Sequence, residues 1–99
     1  MAEQLYEFVP ASTSEQTIGD TGALGDVIDF LLVIPTTLSP GNVQIKDGSN
    51  TPITVFAGGA GSISNLIPFT IPLAARSRSG SWKVTTGAGL SVVAVGVAN

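Results

Sequence analysis

Short segments in which every second side chain is apolar recur along the chain, and the clearest predicted strand is Asp26–Ile34. Alternation with a period of two is typical of a β-strand, because successive side chains point to opposite faces. One face of this predicted strand carries Ile28, Phe30, Leu32 and Ile34, and the other carries Val27, Asp29, Leu31 and Val33. Both faces are partly apolar, so we expect the strand to be central in its sheet or covered on both sides.

The same pattern predicts further strands on either side of this one. They are Leu5–Val9, an edge segment within residues 14–18, the hairpin Asn42–Lys46 with Pro52–Ala57, Leu66–Leu73, and a last pair, Ser81–Thr86 and Leu90–Val97, around Gly87-Ala88-Gly89. In the first strand, Tyr6 and Phe8 share one face, while Leu5, Glu7 and Val9 share the other. In Leu66–Leu73, Pro68 and Pro72 lack the amide donor that a sheet ladder needs, which favours an edge or bulged strand.

Turn signals separate these strands at short intervals. The chain has twelve glycines and six prolines, and no stretch shows a sustained 3.6-residue apolar period. We expect Asp20–Gly25 to form a turn and the glycine-rich loop Gly58–Gly61 to turn a corner. Seven or eight short strands in 99 residues predict an all-β protein with no substantial helix, a jelly-roll-like β-sandwich of about eight antiparallel strands. Residues 1–99 form one domain, with residues 1–13 as an N-terminal arm or an edge strand.

The composition adds an expectation about association. Hydrophobic residues make up 43% of the chain and charged residues only 11%. A domain of this size cannot hide so much apolar surface internally, so we expect copies of itself or a partner to cover part of it. The chain has no cysteine, which excludes a disulfide framework. Its longest apolar runs, Phe30–Ile34 and Val92–Val95, are far too short to cross a bilayer, and no secretory signal is evident.

The charge pattern does not favour a nucleic-acid partner. Formal net charge is −3, and the local basic residues are Arg76, Arg78 and Lys83. Binding to a phosphate backbone needs a larger set of lysines and arginines, because affinity comes from releasing condensed counterions.

The residue types in the chain offer little support for catalysis, and we expect no enzyme activity. The absence of histidine and cysteine removes the bases and nucleophiles of the common triads. A Ser–Lys pair would need Lys46 or Lys83 to be buried beside a serine. Asp26 and Asp29 are three residues apart on one predicted strand, so they face opposite sides rather than forming a carboxylate pair.

We also expect no metal or cofactor site, and a sugar site only as an alternative. Asp20 and Asp26 could offer oxygen ligands to calcium, but their spacing matches no known loop, and they are better interpreted as turn residues. Gly58–Gly61 lacks the following Lys-Ser/Thr of a phosphate-binding loop. Trp82, the only tryptophan, is either a core or rim residue or an exposed platform for stacking on a sugar.

Two segments carry a family resemblance. They are Pro40-Gly41-Asn42-Val43-Gln44-Ile45-Lys46-Asp47-Gly48 followed by Thr51–Gly59, and Gly80-Ser81-Trp82-Lys83-Val84-Thr85-Thr86-Gly87 followed by Leu90–Val97. Their order, with the proline-rich strand between them, resembles small virion proteins of tailed phages. The chain looks most like the jelly-roll cement, or decoration, proteins on the capsids of short-tailed phages, from about Asp26 to its C-terminus.

The resemblance implies a structural role. Such a protein is made in the host cytoplasm, binds the outer capsid surface of the virion and clamps neighbouring major capsid subunits, commonly as a homotrimer and in some relatives as a dimer. It needs no catalytic residue, cofactor or metal. Candidate contact residues are Leu5, Tyr6, Phe8 and Trp82, with Arg76, Arg78 and Lys83 as partners for acidic capsid groups. The alternative is a receptor- or glycan-binding module of a phage tail or fibre that uses Trp82.

Overall fold

The protein is a two-layer all-β structure. In a computed structural model, residues 3–19 and 26–98 are described, with side chains described for 6–19 and 26–96. The strands are β1 (Glu3–Val9), β2 (Gln16–Ile18), β3 (Val27–Pro35), β4 (Val43–Asp47), β5 (Ile53–Phe56), β6 (Phe69–Arg76), β7 (Trp82–Thr86) and β8 (Leu90–Ala98). The described residues contain no helix. The turn predicted at Asp20–Gly25 lies outside them.

The strand order is that of a jelly roll. The first sheet runs β1-β8-β3-β6 and the second runs β2-β7-β4-β5, and every described pair is antiparallel. The pairs β1–β8, β2–β7, β3–β6 and β4–β5 show that the chain folds as one long hairpin about the β4–β5 turn, rolled into two sheets. This order confirms the predicted jelly-roll-like sandwich of about eight strands.

The core lies between the sheets and is built from one face of each long strand. Its fully buried side chains include Val9, Leu31, Val33, Val43, Val84 and Val92. Val43 and Ile45 face inward, as their alternation predicted. These residues are mostly β-branched or aliphatic, which is the composition that suits two pleated faces about 10 Å apart.

Polar contacts close the open side of the sandwich between the edge strands β1 and β2. The Glu7 carboxylate accepts hydrogen bonds from Gln16 Nε2 (2.9 Å) and from the Gly19 amide (3.1 Å). Gln16 Nε2 also donates to the Phe8 carbonyl oxygen at 3.0 Å. Glu7 therefore joins the two sheets, which explains why a charged residue occupies the same strand phase as buried Val9.

Strand β3 departs from the predicted alternation at a β-bulge. Ile28 pairs with Gly96 while Phe30 pairs with Val95, so Asp29 is an extra residue relative to β8. An extra residue reverses which face the following side chains occupy. The prediction that Ile28 shares a face with Phe30, Leu32 and Ile34 was therefore wrong: Ile28 is buried together with Leu31 and Val33.

One strand pairing and the bounds of one strand also differ from the sequence prediction. Ser81–Thr86 and Leu90–Val97 were expected as a pair, but β7 and β8 lie in opposite sheets, and 87–89 cross between them. Strand β6 begins three residues later than predicted and continues to Arg76, at the edge of the first sheet. Edge placement accommodates Pro72, because the missing amide hydrogen bond falls where a strand has only one neighbour.

Candidate interaction surface

The outer face of the first sheet carries a continuous apolar surface, which we name the sheet-face patch. Strand register places Tyr6, Val95, Phe30 and Pro72 side by side across all four strands. The next row is Phe8, Val93, Leu32 and Thr70, and Ile34 pairs with Ser91 beyond it. The patch consists of Tyr6, Phe8, Phe30, Leu32, Ile34, Pro72, Val93 and Val95.

None of these side chains is buried in the single chain. Tyr6 is 75% exposed and Phe8 is 50% exposed, while the side chains on β3 and β8 are half-buried by their neighbours in the sheet. Cross-strand neighbours lie only about 5 Å apart, so the eight side chains form one surface rather than isolated exposed residues. The bulge at Asp29 creates this arrangement, because it turns Phe30, Leu32 and Ile34 outward.

The outer face of the second sheet is polar. Lys46 lies opposite Lys83, and Glu15 contacts both ammonium groups, at 3.2 Å from Lys46 Nζ and 3.8 Å from Lys83 Nζ. In the neighbouring row, Gln44 Nε2 donates to Thr54 Oγ1 at 3.0 Å. The two outer faces of the sandwich thus differ: that of the second sheet is polar, and that of the first sheet is apolar.

A second apolar surface lies at one end of the sandwich. Leu38 (46% exposed), Leu66 (51%) and Ile67 (67%) belong to the loops 36–42 and 57–68, and we name them the loop patch. These loops are tied together, since the Gly59 amide donates to the Pro40 carbonyl (2.7 Å) and the Gly61 amide donates to Ser39 Oγ (3.1 Å). The loop patch was not among the sequence-derived candidates, although the consecutive apolar residues Leu66 and Ile67 before Pro68 could have indicated it.

Tyr6 and Phe8 are the sequence-derived candidates that lie on the sheet-face patch. The side chain of Leu5 lies outside the described side chains, although its backbone pairs with Gly96. Trp82 is only 5% exposed, and its Nε1 donates to the Asp26 carbonyl oxygen at 3.1 Å. Its indole therefore belongs to the core and offers almost no surface to a partner or a sugar.

The basic candidates do not form one cluster. Arg76 ends β6 in the first sheet, where it pairs with Val27. Arg78 lies in the loop 77–81, and Lys83 lies on the outer face of the second sheet beside Glu15. Lys83 is therefore in a different sheet from Arg76, because the chain changes sheets between β6 and β7, while Arg78 follows Arg76 by two residues.

The loop that carries Arg78 is held by one carboxylate. Asp47, the last residue of β4, accepts hydrogen bonds from the Arg78 amide (2.9 and 3.1 Å) and from the Ser79 amide (3.0 Å). The Gly48 amide donates to the Ser81 carbonyl at 3.0 Å in the same region. Register places this loop at the end of the sandwich opposite the loop patch.

No group of three or more His, Cys, Asp or Glu side chains that could hold a metal ion occurs among the described residues. The described residues also include no helix with the length and hydropathy of a membrane span. Comparisons with protein-family models, with curated proteins and with solved structures return no match. The family resemblance of the sequence therefore stays a prediction.

Proposed function

We propose that the protein is a non-enzymatic structural protein of a tailed-phage virion, which binds the outer surface of the capsid and cements neighbouring major capsid subunits. The observation that carries this proposal is the contrast between the apolar sheet-face patch and the polar opposite face. A small domain that leaves a broad apolar face uncovered is built for protein–protein contact. The resemblance in Pro40–Gly48 and Gly80–Gly87 selects the capsid as the assembly.

A cement protein needs more than one contact surface, since its effect comes from bridging. Several weak contacts on a fixed lattice reinforce one another through effective concentration. The described residues offer three such surfaces: the sheet-face patch, the loop patch at one end, and, at the other end, Arg76 at the close of β6 with Arg78 in the following loop. We propose that the loop patch binds apolar capsid residues and that the two arginines pair with acidic capsid groups.

The alternative function, a glycan- or receptor-binding module, depended on Trp82 as an exposed aromatic platform. With Trp82 in the core, no described observation favours that function over the structural one.

Co-sedimentation with mature capsids of the cognate phage tests the proposal. We expect the protein to bind expanded capsids at a fixed number of copies per shell and to raise the temperature at which the shells release their genome. Failure of the unmodified protein to sediment with capsids would overturn the proposal.

Two double variants test the assigned contacts. Leu66→Ser with Ile67→Ser, and Arg76→Glu with Arg78→Glu, should each weaken capsid binding at least about tenfold, because every 1.4 kcal/mol of lost contact energy is a factor of ten. Ile53→Ser is the matched control, because Ile53 is an apolar residue on the edge strand β5 with similar exposure (55%) outside the loop patch. Unchanged binding by either double variant would remove that surface from the capsid interface.

A further inference from the structure

We propose that the sheet-face patch is covered by the same patch of a second copy, in a two-fold dimer whose first sheets pack face to face. Both proposals start from the sheet-face patch, but this one is tested on the protein alone in solution, so its failure is distinguishable from a failure to bind capsids. It differs from the expectation of a homotrimer, and it assigns the contact to named strands.

The chemistry of the patch favours a second copy as its occupant. Each chain has a formal net charge of −3, so two copies carry like net charge and contact favours a face without charged side chains. The three described rows of the patch contain no charged side chain; their polar members are Thr70 and Ser91. Two copies can therefore meet through this face without opposing like charges, and both contribute apolar surface that is removed from water.

The rest of the described surface offers no better cover. The outer face of the second sheet presents the Lys46–Glu15–Lys83 group and the Gln44–Thr54 hydrogen bond, and these polar groups would lose water against an apolar face. Of the described surfaces, the patch itself is the broadest apolar match.

The size of the patch suits the core of such an interface. Strands spaced about 4.8 Å apart, with outward side chains about 6.8 Å apart along each strand, allot about 33 Å² to each residue, so the eight patch residues give an apolar area of roughly 260 Å² per copy. A standard stable interface buries about 800 Å² per partner, of which the centre is apolar and the rim is polar. The long dimensions of the fold, 40 × 24 Å, leave enough surrounding surface for the rim.

Contact of a surface with itself requires a two-fold axis, since the interface is then isologous. A three-fold assembly would place the patch against a different surface of its neighbour, which the polar second sheet disfavours. Two twisted sheets stack at about −30° with about 10 Å between them. The axis then passes near Val93 and Leu32, which lie at the middle of the patch on the two central strands.

Because the chain has no cysteine, a single introduced thiol reports the contact. Val93→Cys and Leu32→Cys place a thiol near the proposed axis, and Thr85→Cys places one on the outer face of the second sheet. All three positions are half-buried in the single chain. With a short bismaleimide reagent, we expect the first two variants to form covalent dimers at least about tenfold faster than Thr85→Cys at equal protein concentration. Equal rates for the three variants would overturn the proposal.

A charge substitution supplies a second readout that does not depend on thiol reactivity. Val93→Asp brings two carboxylates together at the axis, and like charges within an interface cost several kcal/mol, so the dimer dissociation constant should rise at least about 100-fold. Thr85→Asp is the matched control, and it should leave the constant unchanged. Trp82 fluorescence verifies that both variants stay folded. Sedimentation velocity that shows the same association state for Val93→Asp as for the unmodified protein would contradict the proposal.

Discussion

Removing the Asp47 carboxylate is the most informative perturbation of the fold around the candidate contacts. Its two oxygens accept the amide hydrogen bonds of Arg78 and Ser79 and so hold the 77–81 loop against the end of β4. In Asp47→Ala, both amides lose their acceptor, and the loop is left with the Gly48–Ser81 and Asn50–Ser79 hydrogen bonds to this region. We therefore predict loss of stability together with loss of the arrangement that presents Arg78.

The magnitude follows from the number and kind of these hydrogen bonds. A hydrogen bond to a charged group contributes about 1.5–3 kcal/mol when it is shielded from water. Asp47 is half-buried, so about 1 kcal/mol for each of the two amides is appropriate, or about 2 kcal/mol in total. For a domain of this size, each kcal/mol lowers Tm by about 4–8 °C, so the expected decrease is about 8–16 °C.

Thermal unfolding followed by Trp82 fluorescence measures this effect, because Trp82 is the only tryptophan and pairs with Asp47 across β4 and β7. Protein concentration must be the same for all variants, since association raises apparent stability. Asp47→Asn keeps one acceptor oxygen and should lose about half as much stability. Asn50→Ala removes only an exposed side-chain contact with Ser79 Oγ and should change Tm little. An Asp47→Ala protein with the Tm of the unmodified protein would refute the reasoning.

Three further predictions test the core, the glycine-rich loop Gly58–Gly61 and the sheet-face patch. Leu31→Ala removes a fully buried side chain from central strand β3 and should lower the free energy of urea unfolding by about 3 kcal/mol. Ile53→Ala, at a residue with 55% exposure, should lower it by less than about 1 kcal/mol. Similar losses for the two variants would contradict the assigned core. Gly58→Ala should destabilise by at least about 2 kcal/mol more than Gly61→Ala. Both glycines have a φ near +68°, but a Cβ at Gly58 would collide with the Gly41 carbonyl, while one at Gly61 meets no atom within 4 Å, so equal losses would refute this close approach. Tyr6, the only tyrosine, should be protected from nitration at high protein concentration and become reactive on dilution, and reactivity that ignores concentration would argue against a covered patch.

The architecture was largely predictable from the sequence, because alternation within short segments and turn residues between them are local signals. Strands and inward faces such as Val43 and Ile45 follow directly from that period. The pairing of distant strands has no such local signal. The loop 87–89 is short enough for a hairpin, and only the long-range pairing of β8 with β1 and β3 places β7 and β8 in different sheets.

The candidate surface was predictable only in part. Tyr6 and Phe8 were identified because they share one face of the first strand. Their neighbours on β3 were not identified, because the bulge at Asp29 changes the face on which they lie. Every residue from Phe30 to Ile34 is apolar, so nothing in the pattern marks the change of face. The burial of Trp82 has no local signal either, because its indole donates to the carbonyl oxygen of Asp26, which is 56 residues away in the sequence.

The molar mass of the unmodified protein in solution tests the central claim most directly. Light scattering coupled to size-exclusion chromatography, over a range of loading concentrations, reads this mass without any substitution. We predict a species of twice the 10.0 kDa chain mass that dissociates on dilution. A mass of 10.0 kDa at every concentration, or a stable species of three chains, would contradict a two-fold dimer through the sheet-face patch.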